Sequence, residues 1–183
     1  MTACQSNPQP RAFSGSADVL FAHQLWQAME AKHLVGKQSI PLTPFFGGAK
    51  PHGMILEIYH HKLTVGNHKG FLILKRNYNG KGVSVKTVSR NRKKYLTSIT
   101  IMYKREAGYD EANLNFFWAR YKPDGSLFTK EMSGRKLQLA GRLIKGKDRA
   151  SNKGCLYCHA SAGGGDYIFY PDIKLPGFHY REQ

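Results

Sequence analysis

The chain has 183 residues, 41% of them hydrophobic, and 28 Lys and Arg against 12 Asp and Glu give it a net charge of +16. That length supports one domain with a sizeable core, and no run of about 18 apolar residues is present to cross a membrane as a helix. The charge favours acidic partners and steers anions. No nucleic-acid motif accompanies it, so a solvated basic surface able to dock an acidic partner is expected, and nucleic acid is not.

Residues 1–13 are polar and contain Pro8 and Pro10, the composition of a flexible tether. Within them, Met1-Thr2-Ala3-Cys4 resembles the end of a bacterial lipoprotein signal, where a small residue precedes the lipidated cysteine. The apolar leader is not in the chain, as a trimmed sequence or a replaced start methionine would leave it. Cys4 is then either a lipid anchor to a membrane or a free cysteine near a flexible terminus. Residues 14–183 form the expected single domain.

Leu20, Phe21, Leu25, Trp26 and Met29 recur at helical spacing, which predicts an amphipathic helix over about 17–33 that ends near Gly36. Ser16 is its expected cap and Asp18 suits the first turn. His23 and His33 read as surface or satisfied core residues. Residues 37–53 carry Pro41, Pro44, Gly47, Gly48, Pro51 and Gly53, a loop in which Phe45 and Phe46 lie over a cofactor or plug the core.

Strands are expected over residues 54–59 and 70–74, with a turn at Val65-Gly66-Asn67-His68 between them. His60 and His61 are adjacent and so point to opposite strand faces, which prevents joint chelation of one ion. After the turn at residues 78–82, residues 82–88 read as a further strand and residues 90–95 as a basic loop. Alternation predicts a strand over 96–103, and a strongly aromatic run predicts another over 114–121, closed by a turn at Pro123-Asp124-Gly125. Residues 137–145 are either a short helix or an extended segment. The whole reads as an α+β fold, a mainly antiparallel sheet with an N-terminal helix and short flanking helices.

Near the C-terminus stands Cys155-Leu156-Tyr157-Cys158-His159. Two cysteines separated by two residues, with histidine directly after, read as a c-type haem attachment site. Two thioethers would tether the porphyrin edge, and the imidazole would ligate the iron. A redox pair would be expected in a βαβ setting, which is missing here. Zinc wants further ligands at paired spacing, and the only other cysteine is Cys4. One haem c on Cys155, Cys158 and His159 is therefore expected. Gly163-Gly164-Gly165 lacks the context of a phosphate loop and reads as a bend close to the porphyrin. Residues 166–169 read as a brief strand or helical turn.

Ile99-Thr100-Ile101-Met102-Tyr103-Lys104-Arg105, Gly108-Tyr109-Asp110, Phe116-Phe117-Trp118-Ala119-Arg120-Tyr121-Lys122-Pro123-Asp124-Gly125, the haem motif and Asp166-Tyr167-Ile168-Phe169 occur in that order. Together they resemble the cytochrome P-460 family, which includes cytochrome c′-beta. The resemblance spans roughly residues 45–170. It implies one haem near the C-terminus, His159 as proximal ligand, an open pocket on the other side, export from the cytoplasm to the periplasm, and often a homodimer.

Members of that family that oxidise hydroxylamine carry a lysine crosslinked to the porphyrin and a carboxylate near the pocket. Aligned on Gly53, these positions fall at Ile58 and near Thr100, and neither matches. Lys62 or Lys75 would substitute only with a slipped register. Relatives without the lysine bind nitric oxide beneath an apolar face. In this sequence Met54, Leu56 and Ile58 alternate onto one strand face, with Phe45, Phe46, Phe116 and Trp118 expected to close over it. Three functions follow. The first is a five-coordinate haem protein binding nitric oxide or a similar diatomic or nitrogenous ligand. The second is a hydroxylamine-oxidising enzyme. The third is an electron carrier with Met54, Met102 or Met132 as sixth ligand.

Overall fold

The computed structural model describes residues 14–48, 50–132, 134–143, 155–162 and 166–168, without the side chains of Met132 and Tyr157. Residues 1–13 with Cys4, Gly163 to Gly165 and Phe169 lie outside the described set, so the tether and lipid-anchor expectations find no counterpart there. The architecture is α+β. Among the described residues, six antiparallel strands form one sheet in the order β1-β2-β3-β4-β5-β8. They are β1 (Phe45–Phe46), β2 (Ile55–Val65), β3 (His68–Tyr78), β4 (Leu96–Lys104), β5 (Phe116–Tyr121) and β8 (Ala140–Gly141). A small ribbon of β6 (Thr129–Met132) and β7 (Arg135–Gln138) stands beside it.

Helix α1 (Ser16–Ala31) lies close to the expected span, but its ends differ. Gly15, not Ser16, is the N-cap, and it makes no side-chain capping bond. At the other end His33 takes a left-handed φ of 54°. Its N–H reaches the Glu30 carbonyl, and the Leu34 N–H reaches that of Met29. This is a Schellman termination with histidine at the position glycine usually fills, so the helix stops before Gly36 and His33 lies beyond it.

The β2–β3 hairpin turns through Gly66 and Asn67, with Val65 paired to His68 and Gly66 at a φ of 57°. A first turn residue with positive φ matches strand twist, and both strands run well past the expected ends. The strand expected over residues 82–88 is instead α2 (Val85–Arg90). Ser84 and Thr87 form a reciprocal capping box, and that local hydrogen bonding overrides the β-branched composition. The expected basic loop contains the single turn α3 (Arg92–Tyr95), capped by Asn91. Leu114 and Asn115 adopt positive φ, which delays β5 to Phe116. The undecided segment is not a helix where it is described: it ends β7 at Gln138, bends at Leu139 and forms β8 at Ala140–Gly141.

Alternation gives the sheet two unlike faces. Leu72, Leu74, Ile99, Ile101, Tyr103, Phe117 and Tyr121 pack against Ala22, Leu25 and Met29 of α1 as the main core. Each fully buried Leu or Met contributes about 1.5–3 kcal/mol. The opposite face buries Ile73, Met102, Phe116 and Trp118 beneath Leu143 and Leu156. Leu156 belongs to α4 (Cys155–Ala160), which carries the cysteine motif. The motif helix and α1 thus cover opposite faces of one sheet.

Candidate haem site

The face beneath α4 is arranged in rows across the strands. His60, Ile73, Met102 and Trp118 align in one row, and Ile58, Lys75, Thr100 and Arg120 in the next. Leu56, Asn77 and Ser98 complete a third. The first row is largely apolar, whereas the second and third become polar towards the sheet centre.

On α4, Cys155 and Cys158 lie about one turn apart, both exposed and unbonded. His159 turns inward and is buried. Its ring meets Trp118 edge-on at 5.1 Å between centroids. Its Nδ1 lies 2.7 Å from the Tyr167 carbonyl oxygen. A carbonyl only accepts, so Nδ1 carries the proton and Nε2 carries the lone pair. Burial, reinforced by the nearby Lys75 ammonium, holds the imidazole down at about 4.

His52, in the loop before β2, occupies the same site. Its Nδ1 lies 3.0 Å from Asn77 Oδ1 and 3.3 Å from Thr100 Oγ1. The Asn77 amide nitrogen donates to the Lys75 and Ser98 carbonyls and to Thr100 Oγ1, which leaves Oδ1 as the acceptor. His52 is therefore protonated at Nδ1, again with the lone pair on Nε2. Its ring centre is 6.3 Å from that of His159, with planes at 76°. Burial first and the Lys75 charge second push it down to about 4, against the Asn77 bond. The chain reaches this position through Gly53, where a Cβ would overlap the backbone of Tyr78.

Lys75 is mostly buried, and desolvation lowers its pKa, partly opposed by the nearby Cys158. Although the Cys155 residue is exposed, desolvation by the protein packed around its sulfur raises the thiol, and Arg120 opposes that rise. The Lys75 charge acts on both His52 and His159, and that of Arg120 on His52 and Cys155. Trp118 Nε1 and Arg120 Nε are buried donors without a hydrogen-bond partner. The site is therefore a cation-rich, acceptor-poor patch beside an aromatic wall.

Of the residues expected around the pocket, Phe116 and Trp118 are buried under α4 and Ile58 packs beside them. Phe45 and Leu56 are buried and paired with each other. Phe46 and Met54 differ from expectation, at 69% and 46% exposed. In the two-residue β1, alternation turns Phe45 in and Phe46 out. Met54 precedes β2, and its carbonyl accepts from Gly47 and Gly48. An entirely apolar lining is likewise replaced by a half-polar one. Lys75 needs no slipped register, because it pairs directly with Ile58 across the strands and shares its face. Lys62 is exposed, Met102 is buried in the apolar row, and the Met132 side chain lies outside the described residues.

The sequence reading missed His52, Asn77 and Arg120. A period-two reading of β3 would have found the polar signal, because Phe71, Ile73, Lys75 and Asn77 share one face. Among the described residues no group of three His, Cys, Asp or Glu is placed to hold a metal ion by itself. No family model, curated protein or solved structure matches the chain.

Proposed function

We propose that this chain is a mono-haem c-type cytochrome of cytochrome P-460 type, attached through Cys155 and Cys158 and ligated through His159 Nε2. The haem held there would bind nitric oxide or a similarly small ligand. The observation that carries the reading is the His159–Tyr167 hydrogen bond. It fixes Nδ1–H and leaves Nε2 as the coordinating nitrogen, beside two accessible thiols about one turn apart.

The residues fit the group. Ile73, Met102, Phe116 and Trp118 offer an apolar wall for a porphyrin, and the unpartnered Trp118 and Arg120 donors suit its carboxylates. The iron supplies ligand binding and one-electron chemistry. The chain orients the imidazole, excludes water with Trp118 and Phe116, and surrounds the site with positive charge. Thioether attachment goes with export from the cytoplasm. The exposed Lys86, Arg90, Lys93 and Lys94 on α2 and α3 provide a face for an acidic redox partner.

The test is the absorption spectrum of protein expressed with haem-attachment machinery. Haem should resist acid-acetone extraction, and the ferrous spectrum should change on adding nitric oxide. Extractable haem, or none, refutes attachment, and a spectrum indifferent to the gas refutes ligand binding.

Hydroxylamine oxidation on a lysine-modified haem is a second reading, favoured by the position of Lys75 among His52, Cys158 and His159. A strongly red-shifted ferrous Soret band that Lys75→Met abolishes would select it. An ordinary c-type band in the unmodified chain would refute it.

A further inference from the structure

We propose that His52 supplies the second axial nitrogen to the iron at rest, so that a small ligand binds by displacing an internal histidine. The inference rests on the haem c reading above and adds a competitor that regulates that same site.

Two observations carry it. First, His52 and His159 are prepared alike. Each has its Nδ1–H held by an oxygen acceptor, Asn77 and Thr100 for one and the Tyr167 carbonyl for the other, and each has Nε2 as its lone-pair nitrogen. An outer acceptor on the far ring nitrogen is the usual support of a metal-bound imidazole. Second, their ring centres stand 6.3 Å apart. Two imidazoles sharing one ion at about 2 Å per bond have centres roughly 6–6.5 Å apart. The 76° between the planes is compatible, because each ring turns freely about its own bond to the metal.

The competing methionine is less suited. Met102 is packed into the apolar row with Ile73, Phe116 and Trp118, on a central strand that cannot shift without breaking the ladder. His52 instead sits in the loop ahead of β2. Gly53 anchors one end of that loop against Tyr78, and His52 can leave without disturbing a strand pair. Exchange balances simply: the bond between the metal and Nε2 would break, the bond to the incoming ligand would form, and His52 would exchange its Nδ1 bonds to Asn77 and Thr100 for water as it swings out. An internal ligand bound nine-tenths of the time or more weakens the apparent affinity for an external one about tenfold or more.

The experiment uses the purified holoprotein and reads spin state. Ferric wild type should be low-spin, with the single large-g electron paramagnetic resonance signal of near-perpendicular imidazole planes. His52→Ala should be high-spin, return to low-spin on adding imidazole, and bind carbon monoxide in the ferrous state about tenfold or more tightly. A high-spin ferric wild type overturns the inference without any variant, as does a histidine–methionine signature. A low-spin His52→Ala protein in the absence of imidazole overturns it also. Covalent haem in each of these cases leaves the haem c reading intact, whereas wild type without covalent haem overturns both.

Discussion

Glu57 is the one fully buried carboxylate among the described residues, and its replacement tests what holds the loop before the site. Its Oε2 accepts from Arg76 Nη1 at 2.9 Å and from the Tyr78 hydroxyl at 2.7 Å, and its Oε1 accepts from Arg92 Nε at 2.7 Å. Arg76 continues to the Ile40 and Leu34 carbonyls and Arg92 to that of Leu42, so one carboxylate ties residues 34–42 to the sheet. Removing one partner of a buried pair costs about 3–5 kcal/mol, because the remaining charge stays desolvated. Glu57→Gln keeps the shape and loses only the charge, so the cost falls on the buried Arg76. For a chain of this size each kcal/mol shifts Tm by roughly 2–4 °C, which puts the variant about 6–20 °C below wild type. Arg92, with its side chain 30% exposed, is worth less, about 1 kcal/mol on Arg92→Ala. Denaturant and thermal unfolding measure both. A Glu57→Gln loss under about 1 kcal/mol, or one equalled by Arg92→Ala, would refute the strut.

Gly53→Ala should lower stability by about 2 kcal/mol or more, since a Cβ overlaps the Tyr78 backbone. It should also disturb the environment of His52, visible as a changed histidine NMR signal. Asp18 accepts a hydrogen bond from the Tyr109 hydroxyl at 2.9 Å, yet burial outweighs that bond and raises its pKa. The unfolded chain therefore gives up this proton first as pH rises, and stability falls through the window between the ordinary and the raised value. Asp18→Asn keeps an acceptor for Tyr109. It should match or exceed wild-type stability at neutral pH and lose its advantage in acid, which denaturation curves at pH 7 and pH 3 would register. On the haem c reading, Cys158→Ser should leave haem held by one thioether, detectable in the pyridine haemochrome band and by intact-protein mass.

Periodicity sufficed for the elements that pack through repeated apolar contacts. α1 announces itself through Phe21, Leu25 and Met29, β4 through alternation and β5 through its aromatic run. Errors fall where a single local hydrogen bond decides. Ser84 and Thr87 turn a β-branched segment into a helix, and His33 ends α1 in a conformation that its residue type only tolerates. The motif face was half legible. Spacing marked Cys155, Cys158 and His159, and aromatic content marked Phe116 and Trp118. Register placed the rest, because Lys75, Thr100 and Arg120 are 20 or more positions apart and become neighbours only through strand pairing. No sequence pattern links His52 to Asn77 across 25 positions.

The two faces of the sheet carry different burdens. Under α1 every alternate residue is apolar or fully paired, as in Tyr121, whose hydroxyl donates to the Ala22 carbonyl at 2.8 Å, and local pattern agrees with tertiary packing. Under α4 the same strands place Lys75, the Arg120 Nε–H and the Trp118 indole N–H in a sheltered site, the last two without a hydrogen-bond partner. Buried donors and ammonium groups left this way are costly, so that face is stable only in so far as the other supplies the surplus. Departures from local consistency concentrate where a chain binds something. Among the described residues, Lys75 and two of the three buried unpartnered donors, Trp118 Nε1 and Arg120 Nε, share the face of His159, while the third, Arg142 Nε, lies by Tyr109. A group with acceptor oxygens, an apolar plate and two open coordination positions would satisfy the donors, the aromatic wall and the two imidazole nitrogens together. Zinc held by thiols would satisfy none of the donors, and a redox disulfide would leave both histidines without a role. The haem c reading is preferred because it accounts for the unsatisfied face as well as for the motif.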